Sequence, residues 1–189
     1  MTTEETYVGA PGEQPFSTRA VLEIVQALAL AVIISVVLNV FVVQVTEVRQ
    51  RSMEPTLLQS DRVLVSKVDY RFGGPQRGDI IVFNPPIDST IPYVKRVIAV
   101  AGETVELRDG KVLVNSRVVE FPEAVGASAP QAPRFVYPLK IPQGTVWTMG
   151  DNRVASSDSR SFGPVPVENI IGKVIVRFWP IDRFRGFDW

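Results

Sequence analysis

The sequence lacks two residue types that carry much of enzyme chemistry, since it contains no histidine and no cysteine. Without cysteine it can form no disulfide and no thiolate metal site, and without either residue type a zinc site is not expected. A hydrolytic nucleophile in this chain is therefore not a thiol, and it is not a serine activated by histidine. Among the usual schemes for an activated serine, the remaining base is a lysine held in its neutral form. The chain offers five lysines.

The chain also lacks any excess of charge, because 20 basic residues balance 20 acidic residues among its 189. The sequence has no run rich in lysine and arginine, so we expect no nucleic-acid partner. It also has no carboxylate spacing of the EF-hand type, and we expect neither a metal nor a cofactor. The length suits one domain and an anchor.

One long apolar run interrupts this balanced composition. Residues 27–43 read ALALAVIISVVLNVFVV, without a charge and with only Ser35 and Asn39 polar. About 20 mostly apolar residues suffice to cross a bilayer as a helix, so we predict a transmembrane anchor over residues 19–45. The run ends in bulky β-branched residues rather than in the small-x-small site of a cleavable signal, which favours a retained anchor. A buried helix of a soluble protein is the alternative. Residues 1–18 are predicted to be a disordered tail.

Beyond the anchor, residues 46–189 carry the alternation and turn signals of short strands. We predict strands within the segments 61–68, 78–83, 93–100, 104–108, 111–115, 144–150 and 171–178. The dipeptide Asp109-Gly110 predicts a tight hairpin, because a primed turn needs residues that tolerate positive φ. Residues 120–138, rich in Pro and Ala, are interpreted as a loop-like extension. We therefore expect a mainly β fold, an antiparallel domain with Phe178 and Trp179 packed on its core.

A candidate nucleophile, Ser52, follows the anchor within the segment RSMEPTL at residues 51–57. Pro55 restricts Glu54 to extended conformations, so Ser52 lies in a turn or at a strand end. An ordinary turn serine is the alternative interpretation.

A candidate base, Lys95, lies in the apolar run YVKRVIAV at residues 93–100. With a period of two, Tyr93, Val97 and Ala99 share its face, which is otherwise apolar. Burial of an unpaired ammonium lowers its pKa, so that a neutral amine can accept a serine proton near neutral pH. The alternative is a lysine that reaches solvent from an edge strand.

A third cluster of small polar residues spans 150–163, with the sequence GDNRVASSDSRSFG. It is typical of a loop rich in side-chain to backbone hydrogen bonds. The functional interpretation is that a hydroxyl orients the lysine amine while an Asp–Arg pair fixes the loop.

Taken together, these segments resemble the bacterial type I signal peptidases, membrane-bound serine proteases that remove signal peptides from exported proteins. The resemblance covers nearly everything from the anchor to about residue 176. It is carried by SMEPTL at 52–57, DRVLV at 61–65, RGDIIVF at 77–83, YVKRV at 93–97, GDNR at 150–153 and SDSR at 157–160. It implies a β-sheet peptidase domain of that type on the extracytoplasmic side of the cell membrane. The implied partners are the lipid bilayer and preprotein signal peptides with small-x-small cleavage sites.

The resemblance also implies roles for individual residues. Ser52 is the nucleophile, with its backbone N–H in the oxyanion hole, and Lys95 is the general base. Ser156 orients the lysine through a hydrogen bond, Asp158 pairs with Arg160 and Arg96, and Asp151 and Gly150 support the loop. Met53, Leu57, Tyr93 and Val94 line shallow pockets for small substrate side chains.

The chain departs from the family at the two residues before the nucleophile. Many members have Ser or Gly and then Gly, whereas this chain has Gln50 and Arg51. Where the family supplies a serine hydroxyl to the oxyanion hole, Gln50 would have to use its side-chain amide, or only backbone donors remain. A catalytically impaired, membrane-anchored β-domain that binds a protein partner is therefore the alternative function. A self-cleaving regulator of the phage-repressor type would require an amino-terminal DNA-binding domain, and an anchor occupies that region instead.

Overall fold

The structure is a computed structural model that describes residues 18–87, 90–133 and 135–187. The predicted disordered tail lies outside these residues, apart from Thr18. The chain divides after Leu38 into two units, residues 1–38 and 39–189.

The described residues of the first unit, 18–38, belong to one helix, α1, which spans Thr18–Phe41. Its 24 residues rise about 36 Å, which exceeds the roughly 30 Å hydrocarbon core of a bilayer. Residues Thr18–Val36 are apolar enough to cross a membrane, and none of this span is buried in the protein. Strand β1 begins at Val43, so the last residues of the predicted anchor are extended.

The regular secondary structure of the second unit consists mainly of antiparallel strands. In chain order they are β1 (Val43–Glu47), β2 (Arg62–Ser66), β3 (Ile80–Phe83), β4 (Tyr93–Ala99), β5 (Thr104–Arg108), β6 (Lys111–Val114), β7 (Arg117–Val118), β8 (Leu139–Lys140), β9 (Thr145–Met149), β10 (Val165–Pro166), β11 (Ile170–Trp179) and β12 (Arg185–Gly186). Two one-turn helices, α2 (Asp69–Phe72) and α3 (Ser159–Phe162), and two 3-10 turns, Val167–Asn169 and Ile181–Arg183, connect them. The predicted fold class, mainly antiparallel β after one apolar helix, is confirmed.

The strands form two sheets. The larger has the order β1-β2-β11-β3-β4-β9-β10, with β12 also paired to β11, and the smaller has the order β7-β6-β5-β8. In the smaller sheet, Arg108 pairs with Lys111 across the predicted hairpin turn. The two turn residues, Asp109 and Gly110, have positive φ angles of 53° and 74°. Each predicted strand segment overlaps an observed strand. The sequence did not indicate β1 or the two-residue strands β7, β8, β10 and β12.

Strand β4 lies inside the larger sheet and connects its hydrophobic clusters. Val94 packs in a cluster with Met53, Leu57 and residues of β2 and β3, whereas Val97 packs on the opposite face. A register shift between Val97 and Ala99 moves the end of the strand into the cluster around Trp147. The simple alternation predicted for residues 93–99 therefore ends at this bulge.

The C-terminal segment differs from expectation at one aromatic residue. Trp179 is 49% exposed rather than packed on the core, whereas Phe187 is buried in the cluster that contains Met53. Trp179 is the last residue of β11 and pairs with the first residue of β2, Arg62, which is exposed. The side chain of Trp179 therefore lies at the end of the paired strands.

Candidate active site

Ser52 lies in the connection between β1 and β2. The ends of this connection are closed by hydrogen bonds between Val48 N and Asp61 O, 2.9 Å, and between Ser60 N and Val48 O, 2.8 Å. Within it, Leu57 N donates to Met53 O at 2.9 Å, and both side chains are buried in the core. This packing fixes a turn on which Ser52 is 5% exposed.

Lys95 lies on β4, opposite Ile81 of β3, and its side chain is 0% exposed. The interpretation as a lysine that snorkels to solvent from an edge strand is therefore excluded. The Nζ atom is 2.8 Å from Ser52 Oγ, 3.2 Å from the Val94 carbonyl oxygen and 3.3 Å from Gln50 Oε1. It also lies 4.7 Å from the centre of the Tyr93 ring.

Burial governs the protonation of this amine. Desolvation lowers the pKa of Lys95 to about 8, while Asp158 opposes the shift and Arg160 adds to it. Lys95 has no carboxylate within 4 Å among the described residues. An amine with this pKa is substantially neutral at pH 8, and its lone pair is then available to the Ser52 hydroxyl.

The turn after β9 holds the backbone of Ser52. Asn152 N donates to Ser52 O at 3.0 Å, and Gly150 lies so close that a Cβ at that position would overlap Ser52 O. Gly150 N in turn donates to Asp158 Oδ2 at 3.0 Å. Within the described part of the chain, Ser52 N–H donates to no other group, so it remains available to an incoming oxyanion.

Two buried ion pairs flank the site, and their partners differ from the expected set. Arg96 Nε and Nη2 pair with Asp151 Oδ1 and Oδ2 at 2.9 and 2.7 Å, so Asp151, rather than Asp158, is its bidentate partner. Thr56 Oγ1 also donates to Asp151 Oδ2, at 2.5 Å. Because β4 and β9 place Arg96 opposite Met149, the residue two positions after Met149 meets the guanidinium.

Asp158 pairs with Arg160 as expected, with both Nε and Nη2 at 2.8 Å from its carboxylate. It also accepts from Arg160 N and caps α3. Arg160 Nη2 donates to Arg153 O at 2.7 Å, which closes the loop on itself. This pair therefore fixes the segment that carries Gly150 and Ser156.

Ser156 differs from its expected role. Its side chain is buried beside Gly150, but Ser156 Oγ makes no hydrogen bond with any described residue. The carbonyl oxygens within hydrogen-bonding distance of the lysine amine are instead Gln50 Oε1 and Val94 O.

A groove of about 270 Å³ opens beside Ser52. One wall is β1 and its continuation, residues 44–50, and the other is the start of β4 with the residues before it. Of the four residues predicted to form substrate pockets, Met53 and Val94 line the groove, whereas Leu57 is buried in the core and Tyr93 packs against Phe83 and Phe162. Sequence reasoning missed the lining residues Val45, Thr90, Ile91 and Pro92, although their positions next to the two key motifs could have indicated them.

Arg51, the residue before Ser52, extends to the surface and pairs with Glu54. Its Nε lies 3.2 Å from Glu54 Oε1, and its side chain is 71% exposed. Where many family members have a glycine, this chain therefore has an arginine whose positive charge is paired with Glu54 at the surface.

Comparisons with known proteins show the family to which the chain belongs. The family model described as signal peptidase, peptidase S26, matches residues 21–179. Signal peptidase I of Leptolyngbya laminosa is 37% identical over 90% of this chain and 85% of its own, and signal peptidase IB of Staphylococcus aureus strain COL is 32% identical over 88% and 94%. A crystal structure of a signal peptidase I from Enterococcus faecalis V583 is 30% identical, with a TM-score of 0.45 over 53% of this chain and 96% of that one. The chain belongs to the signal peptidase family, peptidase S26.

Proposed function

We propose that the protein is a membrane-bound serine endopeptidase that cleaves signal peptides from exported preproteins at small-x-small sites. The observation that carries the proposal is the 2.8 Å contact between Ser52 Oγ and the fully buried Lys95 Nζ. Its family and its relatives named signal peptidase I support the same activity.

In the proposed mechanism the neutral Lys95 amine takes the Ser52 proton as Oγ attacks the scissile carbonyl carbon. The tetrahedral oxyanion accepts a hydrogen bond from Ser52 N–H, a fixed donor of the kind that contributes most to acyl transfer. The ammonium then gives its proton to the leaving amine, the C–N bond breaks, and an ester to Ser52 remains. Lys95, neutral again, takes a proton from water, which hydrolyses the ester and releases Ser52.

The groove suits a substrate that binds as an added strand. β9 pairs with β4 only from Arg96 onward, so the edge of β4 from Tyr93 to Lys95 is open on that side, and β1 is itself an edge strand. An extended peptide along these edges alternates its side chains toward and away from the groove floor. Met53 and Val94 line the groove next to Ser52, and their bulk supports a preference for small substrate side chains there.

The apolar helix α1 supports an attachment to the bilayer, where signal peptides reside. In this proposal α1 crosses the membrane once and the β-domain lies on the extracytoplasmic side.

The test is cleavage of a preprotein with an Ala-x-Ala site by the full chain in detergent or lipid. We expect Ser52→Ala and Lys95→Ala to lower kcat/KM by at least about 10³-fold, because each removes a member of the reacting pair. The controls Ser116→Ala and Lys140→Ala, at exposed positions, are expected to stay within about twofold. Replacing the residue before the scissile bond by Phe should abolish cleavage.

Activity that survives Lys95→Ala would remove the lysine from the mechanism. No cleavage by folded wild type would instead favour the alternative, an anchored β-domain that binds a protein partner.

A further inference from the structure

We infer that Gln50 is a positioning residue for Lys95, whose side-chain carbonyl holds one N–H of the amine and thereby directs the lone pair at Ser52. The inference rests on the proposed function of Ser52 and Lys95. It assigns to Gln50, one of the two positions where this chain departs from many family members, a role that the resemblance gives to the Ser156 hydroxyl.

The hydrogen-bonding capacity of a neutral amine determines which neighbour its lone pair can reach. Such an amine has two N–H donors and one lone pair, and Lys95 Nζ has three oxygen neighbours. Gln50 Oε1 at 3.3 Å and Val94 O at 3.2 Å are carbonyl oxygens, which can only accept. When both N–H groups donate to them, the lone pair is left for the third neighbour, Ser52 Oγ at 2.8 Å.

The same three oxygens also suit the protonated state. After the serine proton has moved to Nζ, the ammonium has three N–H donors and finds three acceptors in place. No side chain has to rotate between the two states, so little reorganisation accompanies the transfer.

The other candidate for this role makes no such contact. Ser156 Oγ is buried and without a hydrogen bond among the described residues. Gln50, by contrast, is placed by its neighbours, because Val48 is anchored in the core and Arg49 O accepts from Gln59 Nε2 at 3.0 Å. The acceptor on the amine therefore comes from the chain entering the nucleophile turn rather than from the 150–163 loop.

A neutral acceptor matters because of the charges around the amine. Asp158 and Arg160 face Lys95 from the 150–163 loop and act in opposite directions, and they are paired with each other. Arg96, next to Lys95 on β4, is paired with Asp151. A carboxylate in place of Gln50 would add an uncompensated negative charge about 3.3 Å from Nζ and would stabilise the ammonium. The uncharged Gln50 amide orients the amine without stabilising the ammonium.

The experiment uses the full chain in detergent micelles with ¹³C-labelled lysine, since five lysines give a resolvable set of Cε signals. The variants are Gln50→Glu and Gln50→Met, and the matched controls are Gln143→Glu and Gln143→Met at an exposed position. The first measurement is the pH titration of the Lys95 signal, assigned by its loss in Lys95→Met. The second is the pH profile of kcat and KM for preprotein cleavage.

For Gln50→Glu we expect the Lys95 titration to move upward by about 1 to 3 pH units, with the rising limb of kcat/KM moving by the same amount. For Gln50→Met we expect kcat to fall about three- to tenfold, the worth of one hydrogen bond, with KM within about twofold. Both controls should leave the Lys95 titration in place.

A Lys95 titration that Gln50→Glu moves no more than Gln143→Glu does would overturn the inference, as would a loss in Gln50→Met that lies only in KM. The titration needs no substrate. It therefore tests Gln50 even if wild type cleaves no preprotein, an outcome that would count against the proposed function alone. If Gln50→Met fails to fold, the isosteric Gln50→Glu decides the matter.

Discussion

Lys95 is an unusual residue for the interior of an antiparallel sheet, because lysine side chains are almost never fully buried without a charged partner. Here the amine is 0% exposed, and its near neighbours are a hydroxyl, two carbonyl oxygens and an aromatic ring. This environment disfavours the ammonium and stabilises the amine. The same burial destabilises the folded protein at low pH, where the amine has to be protonated.

The cost to stability should be visible as a pH dependence. The folded pKa of Lys95, about 8, lies below the unfolded value near 10.4, so between these values the unfolded chain binds more protons and stability rises with pH. Lys95→Met lacks this contribution. Going from pH 7 to pH 10, we expect the unfolding free energy of wild type to rise by about 2 kcal/mol more than that of Lys95→Met.

Chemical unfolding of both proteins in detergent measures this difference, and the titrations of all other groups cancel between them. Parallel pH dependences would mean that Lys95 titrates normally in the folded protein.

The sequence singled out Ser52 and Lys95, which the structure places in contact, but it did not indicate all of their hydrogen-bond partners. Ser52 and Lys95 stand out from single segments, through a proline-bearing turn and through a strand that places Lys95 on an otherwise apolar face. The contact of Gln50 with Lys95 joins residues 45 positions apart and depends on the side-chain conformation of one amide. No local pattern encodes such a contact.

At the scale of elements, one carboxylate joins three segments of the site. Asp151, from the turn after β9, pairs with Arg96 of β4 and accepts from Thr56 of the nucleophile turn. Because all three side chains are buried, the network holds the turn and the base strand in register.

Removing the negative charge of Asp151 should therefore destabilise the folded protein around the site. In Asp151→Asn a buried guanidinium loses its bidentate partner, and we expect the unfolding free energy to fall by about 3–5 kcal/mol. Unfolding in detergent measures the loss, with the exposed Asp182→Asn as a control expected within about 0.5 kcal/mol. An equal effect of the two substitutions would show that the Arg96–Asp151 pair contributes little.

A second prediction concerns the close approach of the β9 turn to the nucleophile. In Gly150→Ala the new methyl group would overlap Ser52 O and Ser156 Oγ, so the turn and the loop must move apart. We expect preprotein cleavage to fall by at least about 100-fold, since small displacements of reacting groups have large effects on rate.

The matched control is Gly74→Ala, where a methyl group meets no atom within 4 Å. Wild-type activity in Gly150→Ala would contradict the close packing of this turn on Ser52.

The elements were predictable where the signal was local, as in the Asp109-Gly110 hairpin and the strand that carries Lys95. The pairing of Arg96 with Asp151 was not predictable from the sequence, because the register of β4 on β9 brings these two residues together. Strand β1 was missed because its first three residues, Val-Gln-Val, directly follow the apolar run and were assigned to the anchor.

At the scale of the whole molecule, the chain combines one apolar helix with an antiparallel β-domain. The proposed function requires the β-domain to meet signal peptides after export. We therefore predict that alkaline phosphatase fused after residue 189 is active in a bacterial host, and that β-galactosidase fused at the same place is not. The reverse pattern would place the domain in the cytoplasm and would contradict the proposed function.

The central claim is that a buried, neutral lysine activates Ser52, and the pH profile of kcat/KM tests it most directly. The profile reports the pKa of the free enzyme's essential base, so it should be measured with a preprotein that has no ionisable side chain near the cleavage site. We predict that kcat/KM rises about tenfold per pH unit below pH 8, reaches half its maximum near pH 8 and then levels off. A profile that is flat from pH 6 to pH 9, or that falls over this range, would contradict a lysine base.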